Sequence, residues 1–284
     1  MGFYLADAGF DVWVANSRCN SYSAGNREYR STDAGYWQSS LDELALLDLP
    51  ATIDAVLRMT GAPQLSVVGH SQGAALPAML LAARPEYNKK VGLVVMLAPV
   101  MFAEELKTKF LTSQARKGGA SLLADAGIGH FLPSTMMAHL LQGCMRSHQS
   151  KAWCFNLVNF FLFGPSSRVA DDDFARLAAA WPSGMPLRVI MHWSQMHRSG
   201  RGLEMFDYGS VCDGPSVHGP YQETCNQAKY GQEVPPLYDI SRVTTKAAVM
   251  YGADDLLGTE ANVAKLLANW RADVVFTRKY LNTA

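Results

Sequence analysis

The pentapeptide Gly69-His70-Ser71-Gln72-Gly73 has the residue types and spacing of a nucleophile elbow. The apolar run Leu65-Ser66-Val67-Val68 leads into it and a small-residue helical pattern leaves it, so the serine falls on a strand–turn–helix junction. A turn that sharp forces the serine into a strained backbone conformation, and side chains two residues to either side would collide. Glycine at 69 and 73 removes those collisions. Ser71 Oγ then stands clear of the backbone as a nucleophile toward a carbonyl. The N–H of Gln72, at the start of the helix, points at the oxyanion that attack would create. A chance Gly-x-Ser-x-Gly in a Gly/Ser loop would lack both the apolar strand before it and the Ala/Leu helix after it.

The elements that must position this serine are legible around it. Phe10 to Ala15 is strand-like, and Asn16 to Gly35 is a polar, Gly/Ser/Asn-rich loop. From Ser39 to Met59 apolar residues recur at helical spacing, with a break or fresh start at Pro50 and a stop at Thr60-Gly61. The elbow strand comes next, then a helix ending near Arg84-Pro85, then the continuous apolar run Val91 to Leu97, which predicts a buried parallel strand. Strand–helix alternation stops after Pro99 and resumes with Lys246 to Tyr251 (strand), Glu260 to Trp270 (helix) and Asp273 to Tyr280 (strand). The pattern predicts an α/β fold: a parallel sheet built from residues 1–100 and 241–284, carrying a helical cap insertion over 101–240.

With a serine elbow on such a sheet, the catalytic triad runs Ser, then Asp/Glu, then His. Asp254 and Asp255 follow the strand that ends at Tyr251; we assign the acid to Asp255, with Asp254 as the alternative. A purely structural role would be an N-cap for the helix 260–270. All seven histidines, at 70, 130, 139, 148, 192, 197 and 218, precede Asp255. His70 is expected to be locked inside the elbow and the others to lie in the insert. None has the place after the last strand where a triad base belongs, and without an imidazole Ser71 is a weak nucleophile. The matching gap at the front is the second oxyanion donor, which nothing before Leu5 supplies.

Composition narrows the rest. Lys+Arg and Asp+Glu balance at 25 each with no basic block, which gives no footprint for nucleic acid and no polybasic anchor. The apolar stretch Val91 to Ala103 is too short and interrupted to span a bilayer, and the chain opens without a signal-peptide pattern. Five cysteines contain no Cys-x-x-Cys pair, so no metal site is expected. Cys144 and Cys154 flank one short loop that a disulfide could close, and Cys212 and Cys225 flank another; five free thiols in a reducing cytosol is the alternative.

In its ordered motifs the chain resembles the acid lipase family of the α/β-hydrolase superfamily, the gastric and lysosomal lipases with their plant, fungal and algal relatives. The motifs are Leu5 to Trp13 with Asn16-Ser17-Arg18, then Asp48-Leu49-Pro50-Ala51, Thr60-Gly61 and the elbow. Leu97-Ala98-Pro99-Val100, His192-Trp193-Ser194-Gln195, Phe206-Asp207-Tyr208-Gly209 and Tyr251-Gly252 through Leu257 complete them. The resemblance implies a lipase acting on triacylglycerols or sterol esters in lipid catabolism. Ser71 would be the nucleophile, Asp255 the acid and Gln72 N–H an oxyanion donor, with no cofactor. It also implies a Cys144–Cys154 disulfide in the cap, a lipid droplet or membrane surface as the place of action, and a secreted or lysosomal or vacuolar lumen as the compartment.

Two departures accompany it. Cys19 stands where the family commonly has glycine, and both ends fall short of the family pattern, so the chain is expected to be truncated, with its first strands, one oxyanion loop and the triad histidine lying outside it. The competing readings are a non-catalytic lipid- or partner-binding remnant of a lipase, and a cytosolic esterase or acyltransferase of the same fold.

Overall fold

A strand covered on both faces can be apolar throughout, and Val91–Leu97 is such a run; it forms β2, in the middle of a parallel sheet. The computed structural model describes residues 1–131, 144, 147, 149–150, 153–154, 184–210, 212, 225–271, 273 and 275–281, with 276–281 described by backbone only. Four parallel strands, β1 (Leu65–His70), β2, β5 (Lys246–Gly252) and β6 (Val275–Leu281), lie side by side in the order β1-β2-β5-β6. The short strands β3 (His130–Phe131) and β4 (Met185–Pro186) pair separately and antiparallel. The register places His70 beside Leu97, and Leu97 beside Met250, so β1 and β2 end level and β5 ends two residues further on. The turns that leave those three strands share one rim.

Helix α1 (Gly2–Asp7) buries no residue, and Phe10 to Ala15, expected as a strand, forms none. A strand exists only where its N–H and C=O groups find a neighbour. Among the described residues none lies beside the outer edge of β1, and Phe10 and Val14 are left 64% and 79% exposed. The loop after it is nonetheless anchored. Arg18 grips Asp48 with its backbone N at 3.0 Å and its guanidinium at 2.7 and 2.5 Å. Cys19 comes next, in a left-handed conformation (φ 66°), buried, its Sγ 3.2 Å from the Tyr36 carbonyl. That backbone geometry suits glycine, which explains why cysteine at this position reads as a departure.

Ser40 and Glu43 form a capping box that starts α2 (Leu41–Glu43). Pro50 marks a fresh helical start, one of the two outcomes expected, and not a break in the chain's winding. The chain winds one π turn over Leu44–Asp48 and continues as α3 (Leu49–Thr60), with the proline in the first turn where its missing N–H costs little. After the elbow, α4 (Gln72–Ala83) is apolar all round and buried, its Ala74, Ala75, Ala78, Met79, Leu80 and Leu81 fully shielded.

From the insert, α5 (Lys109–Arg116), α6 (Gly119–Asp125), α7 (Leu187–Ser199) and α8 (Asn226–Tyr230) are described. Val189 and Met196 of α7 enter the same hydrophobic cluster as α4, β2 and β5. A second cluster of Leu187, Met191, Phe206 and Tyr208 lies against it, crossed by the buried Arg188. The Arg188 guanidinium stacks on the Phe206 ring at 4.2 Å and the Tyr208 ring at 4.9 Å, and donates to Gln38 Oε1 at 2.9 Å. Asp42, also buried, accepts from Phe206 N at 2.9 Å and Tyr238 Oη at 2.7 Å. Helix α9 (Glu260–Asn269) comes after β5, with Thr259 as its N-cap.

Cys144 is bonded to Cys154 and Cys212 to Cys225, which leaves Cys19 as the one free thiol. Burial pushes its pKa up to about 11. At pH 8 only about one thiol in a thousand would then be thiolate, and the thiolate is the reactive form. Ellman's reagent is therefore expected to find no reactive thiol in the native chain and one after denaturation with the disulfides intact. A native chain that reacts within minutes would contradict the buried placement of Cys19.

Candidate active site

The site is built from the ends of β1, β2 and β5. Ser71 leaves β1 at φ 54°, ψ −122°, a conformation that costs an ordinary residue about 1–3 kcal/mol. It is held there by its neighbours. Ser71 N donates to Leu97 O at 2.9 Å, and Ser71 O accepts from Ala74 N at 3.0 Å and Val100 N at 3.4 Å. Its Oγ makes no hydrogen bond among the described residues, and the side chain is half-buried. Gln72 N opens α4, and N–H groups in a helix's first turn have no partner within the helix, the arrangement an oxyanion needs.

The two glycines do not do the same work. A Cβ on Gly69 would sit 2.3 Å from Gly73 O and 2.6 Å from Gly73 C, backbone atoms that cannot yield. A Cβ on Gly73 would meet nothing within 4 Å, so the expectation that both glycines relieve collisions holds only for the first. Gly73 contributes its carbonyl instead. Pro77 lies one turn on inside α4 and has no N–H to offer that carbonyl, so the helix begins loosely where it presses on the strand. His70 is not enclosed by the elbow as expected. It is exposed, because residues alternate in direction along β1 and it falls on the same side as the exposed Ser66 and Val68.

Asp255 lies three residues beyond β5 and is half-buried. Its Oδ1 accepts from Leu257 N at 2.8 Å and Gly258 N at 2.9 Å, a tight turn that fixes the carboxylate. Asp254 is exposed, and Thr259 rather than either aspartate caps α9. The acid turn abuts the strand next to Ser71. A Cβ on Gly258 would fall 2.9 Å from Ala98 C and O and 3.1 Å from Asp255 Oδ2, and Ala98 N donates to Met250 O at 2.7 Å. Ala98 itself is strained at φ 44°, which nothing in its sequence neighbourhood announced. Ser71 N is thus bonded to Leu97 O, while Gly258 of the acid turn lies against the next residue, Ala98.

None of the described histidines joins them. His192 is fully buried and its Nε2 lies 2.8 Å from Glu204 O; a carbonyl only accepts, so that nitrogen carries the proton. His197 Nδ1 donates to Ala103 O at 2.8 Å, and His130 packs on Trp37 with ring centroids 5.2 Å apart. His139, His148 and His218 lie outside the described residues. Asn262 carried no signal in the sequence. Fully buried on α9, its amide accepts from Met101 N at 3.1 Å and Phe102 N at 3.4 Å and donates to Phe102 O at 3.0 Å, which clamps the start of the insert beside the acid turn.

Residues 1–153 match the family described as alpha/beta hydrolase fold. The chain belongs to this family. Curated relatives are lipases: it is 33% identical over 273 residues to gastric triacylglycerol lipase of Rattus norvegicus and 33% identical over 273 residues to the same animal's lysosomal acid lipase/cholesteryl ester hydrolase. It is also 30% identical over 274 residues to lipase member K of Homo sapiens. Each comparison covers 94% of this chain and 64% of the relative, so the chain spans under two thirds of the length of the lipases it matches. No described helix is long and apolar enough to cross a membrane.

The asymmetry between the two glycines can be tested directly. Gly69→Ala is expected to lower unfolding free energy by about 1–3 kcal/mol or more, the range for forcing atoms into a packed site. Gly73→Ala should stay neutral or gain up to about 1 kcal/mol from helix propensity. Urea denaturation of both variants decides it, and equal losses would show that the close contact at Gly69 is not the governing constraint.

Proposed function

We propose that this chain carries the nucleophile and acid of a serine lipase that hydrolyses triacylglycerols or sterol esters in lipid catabolism. The observation that supports the reading most is Ser71 at φ 54°, ψ −122°, lifted at the rim of a parallel sheet with the Asp255 turn packed beside the adjoining strand. Ser71 Oγ attacks the acyl carbonyl while its proton passes to an imidazole; the tetrahedral oxyanion is met by Gln72 N–H. Collapse expels the alcohol, and water then releases the fatty acid from Ser71 by the same steps. Asp255 has the role of orienting that imidazole. No cofactor enters this chemistry.

The named activities of the curated relatives support lipid esters as substrates, and a lipid droplet or membrane surface as the place where such esters are met. The two disulfides favour an oxidising compartment, a secreted or lysosomal or vacuolar setting. A second reading, a non-catalytic lipid- or partner-binding relative, is favoured by one observation: among the described residues His192, His197 and His130 have partners other than Ser71 and Asp255.

A fluorophosphonate probe, applied to the chain extended by its flanking coding sequence, separates the two. The lipase reading expects covalent labelling that Ser71→Ala abolishes, and fatty-acid release from emulsified triacylglycerol or cholesteryl ester. Asp255→Asn is expected to lower that turnover by about 10³–10⁴-fold, as loss of an orienting acid does in serine hydrolases. A protein that binds lipid yet never takes the probe supports the second reading.

A further inference from the structure

We propose that Trp193 is a positioning residue for the oxyanion donor, so that the insert helix α7 and the nucleophile elbow act as one unit; this rests on the serine hydrolase reading above. Trp193 Nε1 donates to Gln72 Oε1 at 2.9 Å, across 121 positions of sequence. The residue it holds is the one whose backbone N–H faces the developing charge and which directly adjoins Ser71. Trp193 is itself well seated, half-buried and packed against the hydrophobic cluster that contains α4. The helix beneath it is fixed by Val189 and Met196 in that cluster and by Gln195, whose amide exchanges two hydrogen bonds with the Asp207 backbone at 2.8 and 3.0 Å.

The chemistry of the contact is directional. An indole N–H only donates, so Trp193 dictates that Gln72 presents its carbonyl oxygen to the insert and turns its amino group the other way. The first turn of α4 needs such an external hold. Pro77 withholds the bond that would tie down Gly73 O, and Ser71, the N-cap, makes no side-chain capping bond. With Gln72 pinned from above and Ser71 N pinned to Leu97 O from below, the Gln72 N–H is fixed before substrate arrives. Pre-fixed donors are what make oxyanion stabilisation effective.

Two variants that keep the backbone donor test it: Trp193→Phe, which keeps the ring and loses the N–H, and Gln72→Met, which keeps the length and loses the acceptor. We expect each to slow phosphonylation of Ser71 by about tenfold and the double variant to be no slower than either, because both remove one contact. Singles at the wild-type rate, or a double slowed by about the product of the two, would overturn the proposal. The contact is read separately from the indole ¹⁵N–¹H resonance of Trp193, assigned by its loss in Trp193→Phe. Gln72→Met should shift it, and an unmoved resonance overturns the contact. If Trp193→Phe fails to fold, Gln72→Met carries both measurements. If wild-type protein takes no probe while the resonance does shift, the hydrolase reading falls and takes the catalytic role of the contact with it.

Discussion

Strand β1 and helix α4 approach each other so closely at Gly69 and Gly73 that not even a methyl group fits between them, and the rest of the site depends on that approach. It forces Ser71 out of both strand and helix geometry, and the strain is tolerated because other parts of the fold over-determine it. The bond from Ser71 N to Leu97 O continues the β1–β2 ladder by one residue past the elbow, while Val100 N returns to Ser71 O from the far side of Pro99. A turn anchored on both its amide and its carbonyl cannot relax by rotating. The serine hydroxyl, by contrast, has no bond among the described residues to hold it, which is the state a nucleophile must be in before a base reaches it.

The same economy of space governs the acid. Gly258 lets the turn after β5 press against Ala98, and Ala98 accepts a left-handed conformation while its N–H bonds to Met250 O. Two strained non-glycine residues, Ser71 and Ala98, therefore follow neighbouring strands, and the second lies against Gly258 of the turn that holds Asp255. Strain concentrated at a strand rim, within a sheet of ordinary parallel register, marks where the fold gives up local stability for placement. Asn262 supplies the local compensation. Its buried amide satisfies three backbone groups of Met101 and Phe102, and an amide lost there would leave them unpaired, at about 1–3 kcal/mol for each.

Much of this was readable from residue types because the sheet is of the kind whose strands are written as apolar runs. Val91 to Leu97 is bounded as expected, and the strand at Lys246, the helix at Glu260 and the strand near Tyr280 fall within a few residues of their predicted limits. The elbow pattern pointed to a sharp turn at Ser71 and the paired aspartates to a turn after β5, and the chain turns at both places. The failures have physical reasons. Phe10 to Ala15 has strand-forming residues and, among the described residues, no strand beside it, and pairing outweighs propensity. The distinct roles of Gly69 and Gly73, the strain at Ala98 and the reach of Trp193 to Gln72 depend on three-dimensional approach alone. No periodicity encodes them.

How the insert is fastened to the sheet bears on how exact the site can be. Apolar contact between α7 and the core would tolerate some sliding, since dispersion and burial are non-directional. The bonds that cross the junction are polar and point-to-point: Arg188 to Gln38, Asp42 to Phe206 N and Tyr238 Oη, Trp193 to Gln72. Burial at Arg188 lowers the pKa of its guanidinium, and burial next to Asp42 raises that of Tyr238, so both groups are costly to desolvate and are retained within the packed interior. Polar groups in such a place satisfy one another in one register only, and a slip of α7 by a single helical turn would part Arg188 from Gln38 and Trp193 from Gln72. The insert is thereby indexed to the elbow rather than merely attached to it. An insert held in this way can set the position of Gln72 beside Ser71, which one held by greasy contact alone could not do.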